Sequence, residues 1–434
     1  VKVRQMRTRI SLYFCIMDSL IIIGGGAAGM MAAISAAREG ASVKLLEKMD
    51  RPGRKLSITG KGRCNLTNTA PLQAFLEQTG PDSRFLRNVF TRFFSQNVLD
   101  FFHELGIQTE TERGGRVFPA GGSALEVVAA LKSEMLRRKV VVVPRCPVQN
   151  IRIRPEGGFY IETPTGTLAA PVIILATGGR SYPGTGSDGD GYTLASGLGH
   201  TLVTPCPALV PFVTAGNTAP RMQGLSLRNI NASVWIDGKK QGEEFGELLF
   251  THFGLSGPVI LTLSRKFNRE VISGRKVEVS IDLKPALDVD TLDKRIQRDL
   301  SAHGKMQIRG ILKGLLPSGM IPVCVDMLGL DAEKQAHQIT SAERNRLVYW
   351  MKDFRFRVTG LGGFAEAIVT AGGISTREID PRTLASRVVP GLYLAGEIID
   401  LDANTGGYNL QIAFSTGWVA GQEAARKMIV RDKD

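Results

Sequence analysis

From Leu20 to Ala37 the chain carries no charged residue. The apolar run LIII (20–23) reads as a strand and breaks into GGGAAG (24–29); MMAAISAAREG then reads as a helix closed by Gly40. ASVKLLEK (41–48) is strand-like again. Strand, tight turn, helix and strand in so short a span predict a βαβ unit, which forces a parallel strand pair with a right-handed crossover. Lys2, Arg4, Arg7 and Arg9 precede this stretch and give the opening the outline of an export signal. The three consecutive glycines argue otherwise, because each weakens a membrane helix by about 1 kcal/mol relative to alanine. Asp18 interrupts the run, and Leu20 to Ala37 is at the short end for a span. Cleavage near Ala37 would also remove the glycine turn. The stretch is therefore read as a working βαβ unit starting at Met17. Residues 1–16 are read as an upstream extension.

Further along, FLRNVFTRFFSQNVLDFFHELG places apolar residues at helical spacing within roughly 83–106. GGSALEVVAALKSEMLRRK (121–139) reads as a second amphipathic helix, with Ser123 as N-cap and Glu126 three residues on. VVVVP (140–144), VQNIRIRP (148–155), GFYIETP (158–164) and PVIILATGG (171–179) are strand-like; alternation in the middle two predicts a small antiparallel meander. From about residue 200, ALVPFVT (208–214), NASVWID (231–237) and KVEVSIDL (276–283) suggest a barrel or sandwich, followed by a helix-rich stretch from Thr291 to Lys352. FRFRVTG and EAIVTAGG (354–373) return to strand pattern, and the end reads as strand, loop and long helix. The predicted architecture is an α/β nucleotide domain built from both ends of the chain, with subdomains inserted between.

The turn carries chemistry. Gly24, Gly26 and Gly29 form G-x-G-x-x-G directly after a strand and at the opening of a helix, with Ala27 and Ala28 between them. The first glycine permits the tight turn, the second lets backbone approach a pyrophosphate, and the third lets helix and strand pack closely. The helix start offers free N–H groups to phosphate. Glu47 closes the second strand, where an acid accepts hydrogen bonds from ribose hydroxyls and disfavours a 2′-phosphate. Two later segments favour FAD over NAD at this site. One strand ends in Ala176-Thr177-Gly178-Gly179, and another ends in Gly396-Glu397 and leads through Gly406-Gly407 into a helix. That helix start can face flavin carbonyl oxygens, where reduction builds negative charge. Deletion of residues 1–16 is expected to leave FAD binding intact.

Composition changes this picture little. At 434 residues, 43% hydrophobic and 22% charged, the chain is an ordinary globular protein large enough for two or three domains. A net charge of +13, four units of it in the first sixteen residues, would attract nucleic acid, anionic lipid or anionic cofactor, or simply form a solvated basic face. Cys15, Cys64, Cys146, Cys206 and Cys324 are widely spaced with no C-x-x-C. Neither a disulfide framework nor a zinc knuckle is expected, and a reducing, cytoplasmic compartment fits. No histidine or acidic cluster has metal-ligand spacing, so no metal is expected.

GGGAAG, RKLSITGKGRCNLTN (54–68), LFTHFGLSGP (249–258), TAGGI (370–374) and LAGEIIDLDANTGGYNLQIAFSTG (394–417) resemble the BaiN/YhiN-like bacterial FAD-dependent flavoproteins, from about Met17 to the C-terminus. GRCNLTN and GGYNLQ are the specific segments. The resemblance implies a glutathione-reductase-like, Rossmann-type FAD-binding domain carrying an inserted β-barrel and a helical subdomain. The corresponding parts are 17–195 and 370–434 for the FAD domain, 196–284 with return strands 353–369 for the barrel, and 285–352 for the helical subdomain. It implies FAD-dependent activity with NAD(P)H as a transient donor, in a family that includes enone reductases of steroid-like substrates and oxidases of small amines. Carried over by position, Lys48, Arg54 and Lys55 would lie near the phosphates or ribose. Gly60, Gly62, Arg63, Cys64 and Asn65 would line the flavin, and Val148 would contact adenine. Gly396 and Glu397 would meet the ribityl-pyrophosphate region; Gly407, Asn409 and Leu410 would lie against the isoalloxazine. Lys61 stands where family members often carry another glycine.

Two side chains have competing readings. Cys64, between Lys61, Arg63 and glycines, would be reactive if those cations lowered its pKa. With no resolving cysteine nearby, a buried packing role is favoured. His252 in FTHFGLSGP is either a proton donor to substrate or a core histidine bonded to backbone. The other histidines are taken as structural. GTGSDG (184–189) repeats the glycine triplet without a leading strand, so it predicts a turn into a helix rather than an NAD(P) site. The leading expectation is a flavin oxidoreductase reducing an electron-poor double bond or oxidising a small amine. It would act on a small-molecule substrate, without stable nucleic acid or membrane association. A nucleic-acid-associated flavoprotein that modifies RNA, and a non-catalytic FAD-binding module, are the alternatives.

Overall fold

The computed structural model describes residues 19–80 and 82–431. The expected start at Met17 and the stretch 1–16 lie outside the described residues. In chain order, the elements that matter begin with β1 (Ser19–Ile23), α1 (Ala27–Arg38), β2 (Ser42–Leu46), α2 (Arg54–Ile58), β3 (Val141–Val143), β4 (Ile173–Leu175), α3 (Asp190–Gly197) and β5 (Leu202–Ala208). Next come β6 (Phe212–Thr214), β7 (Ser226–Ile236), β8 (Lys239–Phe250), β9 (Gly254–Ser256), α4 (Pro258–Ile272), β10 (Val277–Asp282) and β11 (Phe354–Leu361). The chain finishes with β12 (Val369–Ile374), β13 (Leu392–Leu394) and α5 (Tyr408–Arg431). The described residues form two compact units: those up to Pro207 together with those from Ala367 on, and Ala208–Glu366.

In the first unit a parallel sheet runs β13-β4-β1-β2-β3. Leu20, Ile21 and Ile22 are fully buried, and full burial of such a side chain contributes about 1.5–3 kcal/mol. α1 is buried on every side from Ala28 to Ala36, which accounts for the charge-free stretch: no face of the helix meets water. It packs on α5 and on the helix Ala124–Arg137, which Ser123 caps by accepting from Leu125 N–H (3.3 Å). At α5 the two helices nearly touch through their backbones. A Cβ added to Gly417 or Gly421 would lie 2.3 Å from the carbonyl oxygen of Ala28 or Ala32. The predicted meander is present as Asn150–Ile153, Phe159–Thr163 and Gly166–Ala170. The stretch 83–106 is two helices, Ser83–Phe90 and Ser95–Glu104. A three-stranded sheet of Thr67–Asn68, Thr109–Glu112 and Arg116–Pro119 has no counterpart in the sequence reading.

The second unit is a closed barrel, β6-β9-β8-β7-β10-β11, whose end strands pair. β11 alternates cleanly, with Phe354, Phe356 and Val358 inward and Arg355, Arg357 and Thr359 outward. The helices of 289–352 share one hydrophobic core with the barrel. The segment expected as a separate helical subdomain is therefore part of the same compact unit. The unit boundaries also differ from those expected. β5 pairs with β12, and 196–207 and 367–369, expected with the barrel, belong to the first unit. Among the described residues, no helix is long and apolar enough to cross a membrane.

Candidate dinucleotide-binding site

In the sheet order, β2 and β4 flank β1 on opposite sides, so the chain reverses direction across the sheet at β1/β4. Ligands of open parallel sheets sit in the crevice outside the carboxyl ends at such a point. Here it is formed by Gly24 after β1 and Ala176 after β4. The three glycines divide the work as the motif requires. Gly24 has φ +105°, and a Cβ there would lie 2.4 Å from Ala176 O. Gly29 would drive a Cβ to 1.9 Å from Gly24 O. At Gly26 a Cβ would meet nothing within 4 Å, so this glycine faces open space. Gly26 is also the N-cap of α1, and no side chain caps the helix there. The amides of Ala27 and Ala28 thus begin a helix that an anion can complete.

Glu47 is 8% exposed and held from two sides: Oε2 accepts from Gly25 N–H (2.8 Å) and Oε1 from Met49 N–H (2.7 Å). Burial raises its pKa against the lowering effect of those two bonds. Val148 is buried just beyond Cys146, whose N–H bonds Glu47 O at 2.9 Å, so it lies close in chain to the same end of β2.

The three cations expected near phosphate are otherwise engaged. Lys48 Nζ binds Asp188 Oδ1 (2.6 Å) and Asp190 Oδ2 (2.8 Å). Arg54 binds Asp50 Oδ1 (2.8 Å) and Gly184 O (3.3 Å). Lys55 Nζ binds Ser181 Oγ (2.5 Å) and Glu397 Oε2 (2.6 Å). Glu397 Oε1 also accepts from Ser181 Oγ–H (2.8 Å) and Thr370 N–H (2.7 Å). Lys55 and Glu397 therefore neutralise each other in a polar knot joining four chain segments. Ser181, Thr370, Asp188 and Asp190 were not singled out from the sequence as partners. Nothing short-range marks them, since they lie more than a hundred residues from Lys48 and Lys55.

The two most specific segments meet. Asn68 Nδ2 donates to Gly406 O (2.9 Å), and Thr67 Oγ1 donates to Gln411 Oε1 (2.5 Å). A Cβ on Gly407 (φ +97°) would lie 2.3 Å from Thr67 O and 2.9 Å from Asn65 Oδ1. Gly60, Lys61, Gly62 and Cys64 all have positive φ, which explains why glycine suits position 61. Arg63 is tied to Glu112 (2.6 Å) and stacks over Phe118, 4.2 Å from its centroid. Asn409 is not free to meet a ring, because it closes its own loop. Its Oδ1 accepts from Ala403 N–H (2.9 Å), and its Nδ2 donates to Ala403 O (2.8 Å) and Asn404 O (3.1 Å). Leu410 is half-buried against the core. Gly396 (φ +78°) sits on Ala28, its N–H held by Thr416 Oγ1 at 2.9 Å.

Cys64 is fully buried, and burial pushes its thiol up to about 12. It should therefore resist iodoacetamide at pH 8 in the folded protein and label fully in urea, as read by peptide mass spectrometry. Rapid labelling of the native protein would contradict this.

Two buried oxygens with no partner, Asn65 Oδ1 and Thr177 Oγ1, belong to the residues expected at the cofactor. Together with the uncapped helix start, the open space at Gly26 and the acid ending β2, they fit a bound dinucleotide. Gly178 (φ +79°) follows Thr177 in the same turn. GTGSDG forms a short turn and then α3, with no strand leading in. His252 lies in the second unit, between β8 and β9. It is exposed, its ring edge meets Phe253 (4.7 Å), and it makes no hydrogen bond among the described residues. It is not a core histidine.

Over residues 18–423 the chain matches the family described as HI0933-like protein Rossmann domain. It is 34% identical over 413 residues to the 3-dehydro-bile acid delta(4,6)-reductase of Clostridium scindens, covering 95% of this chain and all of that one. It is 31% identical over 405 residues to the ribosomal RNA dihydrouridine synthase of Escherichia coli, covering 93% and 97%. A solved 3-ketosteroid-delta4-(5alpha)-dehydrogenase from Rhodococcus jostii shares the fold, with TM-score 0.50 and 16% identity over 94% of this chain and 97% of that one. The family match spans nearly the whole chain, and both relatives align over almost their full length. The chain belongs to the HI0933-like family and is built on its Rossmann-type FAD-binding fold.

Proposed function

We propose that this chain is an FAD-dependent oxidoreductase that reduces a carbon–carbon double bond conjugated to a carbonyl, with reduced nicotinamide as a transient electron donor. The observation that carries the reading is the uncapped start of α1 with Gly26 open beside it. The reaction class is supported by the names of the two relatives, which denote reductions of such bonds: a 3-oxo steroid diene and the uracil ring. When bound, FAD supplies hydride chemistry. The chain's own residues do the rest. The amides at the start of α1 hold the pyrophosphate, Glu47 receives ribose hydroxyls, and Asn65 and Thr177 offer their unpaired oxygens. We assign to His252 the proton that the reduced carbon skeleton must accept. His252→Asn should lower turnover by about 10²–10⁴ and remove one limb of the pH profile, with FAD affinity unchanged. A wild-type rate and profile would end that assignment.

The deciding experiment is anaerobic. NADH or NADPH should bleach the oxidised-flavin absorbance, and a conjugated enone should restore it, with the saturated ketone as product. A flavin that no nicotinamide reduces, or that no conjugated acceptor reoxidises, would defeat the proposal. A second reading places the double bond in RNA, favoured by the net charge of +13 and by the Escherichia coli relative. Conversion of uridine to dihydrouridine in ribosomal RNA, absent with free enones, would select it.

A further inference from the structure

The segment 183–190, PGTGSDGD, holds the glycine triplet that the dinucleotide site does not use. It is fastened on two sides: Ser187 Oγ–H donates to Gly179 O (3.1 Å), just beyond β4, and the other ties reach the stretch after β2. Lys48 Nζ holds both Asp188 (2.6 Å) and Asp190 (2.8 Å), and Arg54 reaches Gly184 O (3.3 Å). Gly186 has φ +103° and lies so close to Met49 that a Cβ would be 2.7 Å from Met49 Cγ. Lys48 and Met49 follow Glu47 directly and Arg54 opens α2 a few residues on, so this side of the segment is pinned just beyond the end of β2. Its other side opens α3, where Gly191 presses on Thr177: a Cβ there would be 1.8 Å from Thr177 Oγ1, the hydroxyl without a partner. Thr177 lies at the end of β4. Since β1 stands between β2 and β4 in the sheet, the segment runs from one flank of the Gly24–Gly29 turn to the other.

The clamp is built to open. Lys48 is mostly covered, but the side chains of Asp188 and Asp190 are 53% and 35% exposed. Ion pairs so placed are weak and screened by salt. The loop's own regular structure is slight: Pro183–Thr185 form one 3-10 turn, Asp190 opens α3, and between them Gly186 and Gly189 are left-handed.

We propose that segment 183–190 is a strap across the dinucleotide turn, and that the Lys48–Asp188–Asp190 clamp sets the rate at which FAD is admitted and released. This rests on the FAD reading above. Lys48 acts here as a positioning residue, not as a phosphate ligand.

The test is kinetic. FAD association with the apo-protein and release from the holo-protein are followed by flavin fluorescence in stopped flow, for the wild type, Lys48→Met and Asp188→Asn. Both rate constants should rise about twofold to fivefold in the variants, the size of a partly exposed ion pair, with the dissociation constant changing less than about 1.5-fold. Raising salt from about 50 mM to about 500 mM should speed both steps in the wild type and leave the variants unmoved. Lys48→Arg should restore slow exchange. If Lys48→Met fails to fold, Asp188→Asn probes the same clamp from its exposed side. Normal FAD binding with unchanged rates would overturn the strap and leave the FAD reading standing. Faster release with unchanged association would make Lys48 a direct ligand, which also overturns it. A wild-type protein that takes up no FAD would overturn the FAD reading itself.

Discussion

Gly26→Ala is expected to leave the apo-protein's melting temperature nearly unchanged while weakening FAD binding by about 100-fold or more, a loss of about 2.7 kcal/mol. Gly29→Ala is expected to do the reverse damage, costing the fold itself about 3–5 kcal/mol. The same methyl group is added three residues apart, yet it meets different surroundings. At Gly26 the backbone is extended (φ −77°, ψ −171°), a conformation alanine adopts freely, and the methyl would enter space that holds no protein atom within 4 Å. Only a ligand is displaced. At Gly29 the methyl would lie 1.9 Å from Gly24 O and 3.0 Å from Gly24 C. Backbone cannot swing aside as a long side chain can, so α1 must lift from the turn. Calorimetry on the apo-proteins and fluorescence titration with FAD separate the two effects. If Gly26→Ala bound FAD like the wild type, the open space beside it would not be the phosphate's.

Gly421→Ala should invert a familiar rule. Alanine in place of glycine inside a helix ordinarily stabilises by about 0.5–1 kcal/mol. In α5 the new methyl would sit 2.3 Å from Ala32 O and 3.0 Å from Ala32 C and Cα. Gly417 stands one turn earlier over Ala28 in the same relation, so the crossing has no slack at either point. Separating the helices exposes a part of α1 that is buried all round. A net loss of about 3 kcal/mol is expected, lowering the melting temperature by about 5–10 °C. Because Ala28 belongs to the first turn of α1, FAD affinity should fall as well. A melting temperature that rises on substitution would refute the close crossing.

What could be read from the chain follows the range of the forces involved. The βαβ unit was legible because each glycine acts within a few residues of itself, and the acid at Glu47 closes the adjoining strand. The loop 60–65 and the turn 406–410 were legible as a pair only through resemblance, since the bonds from Asn68 to Gly406 and from Thr67 to Gln411 span most of the chain. The fates of Lys48, Lys55, Glu397 and Asn409 were not legible. A lysine beside a phosphate and a lysine beside a distant aspartate look identical in sequence, and only the fold decides which partner arrives. β8 was missed for another reason. Its sequence, KKQGEEFGELLF, is polar along most of its length and buries only Leu248 and Phe250, so no alternation announces a strand. Separating the helical stretch from the barrel failed because periodicity shows that a helix has an apolar face, not which core receives it.

The sheet of the first unit joins strands from both ends of the chain, and this sets the order of events during synthesis. β4 has no neighbour on its outer edge until β13 exists, and the face of α1 that packs on α5 has no cover until α5 follows. At about 5–20 residues per second, the roughly 200 residues between β4 and β13 take about 10–40 s to emerge. During that interval an apolar strand edge and one face of an apolar helix remain exposed on the ribosome. The barrel unit, continuous in sequence and with a core of its own, can fold in the meantime. The half-made nucleotide domain is therefore the part of the nascent chain with most need of a chaperone, and its ability to hold cofactor begins only with its last helix.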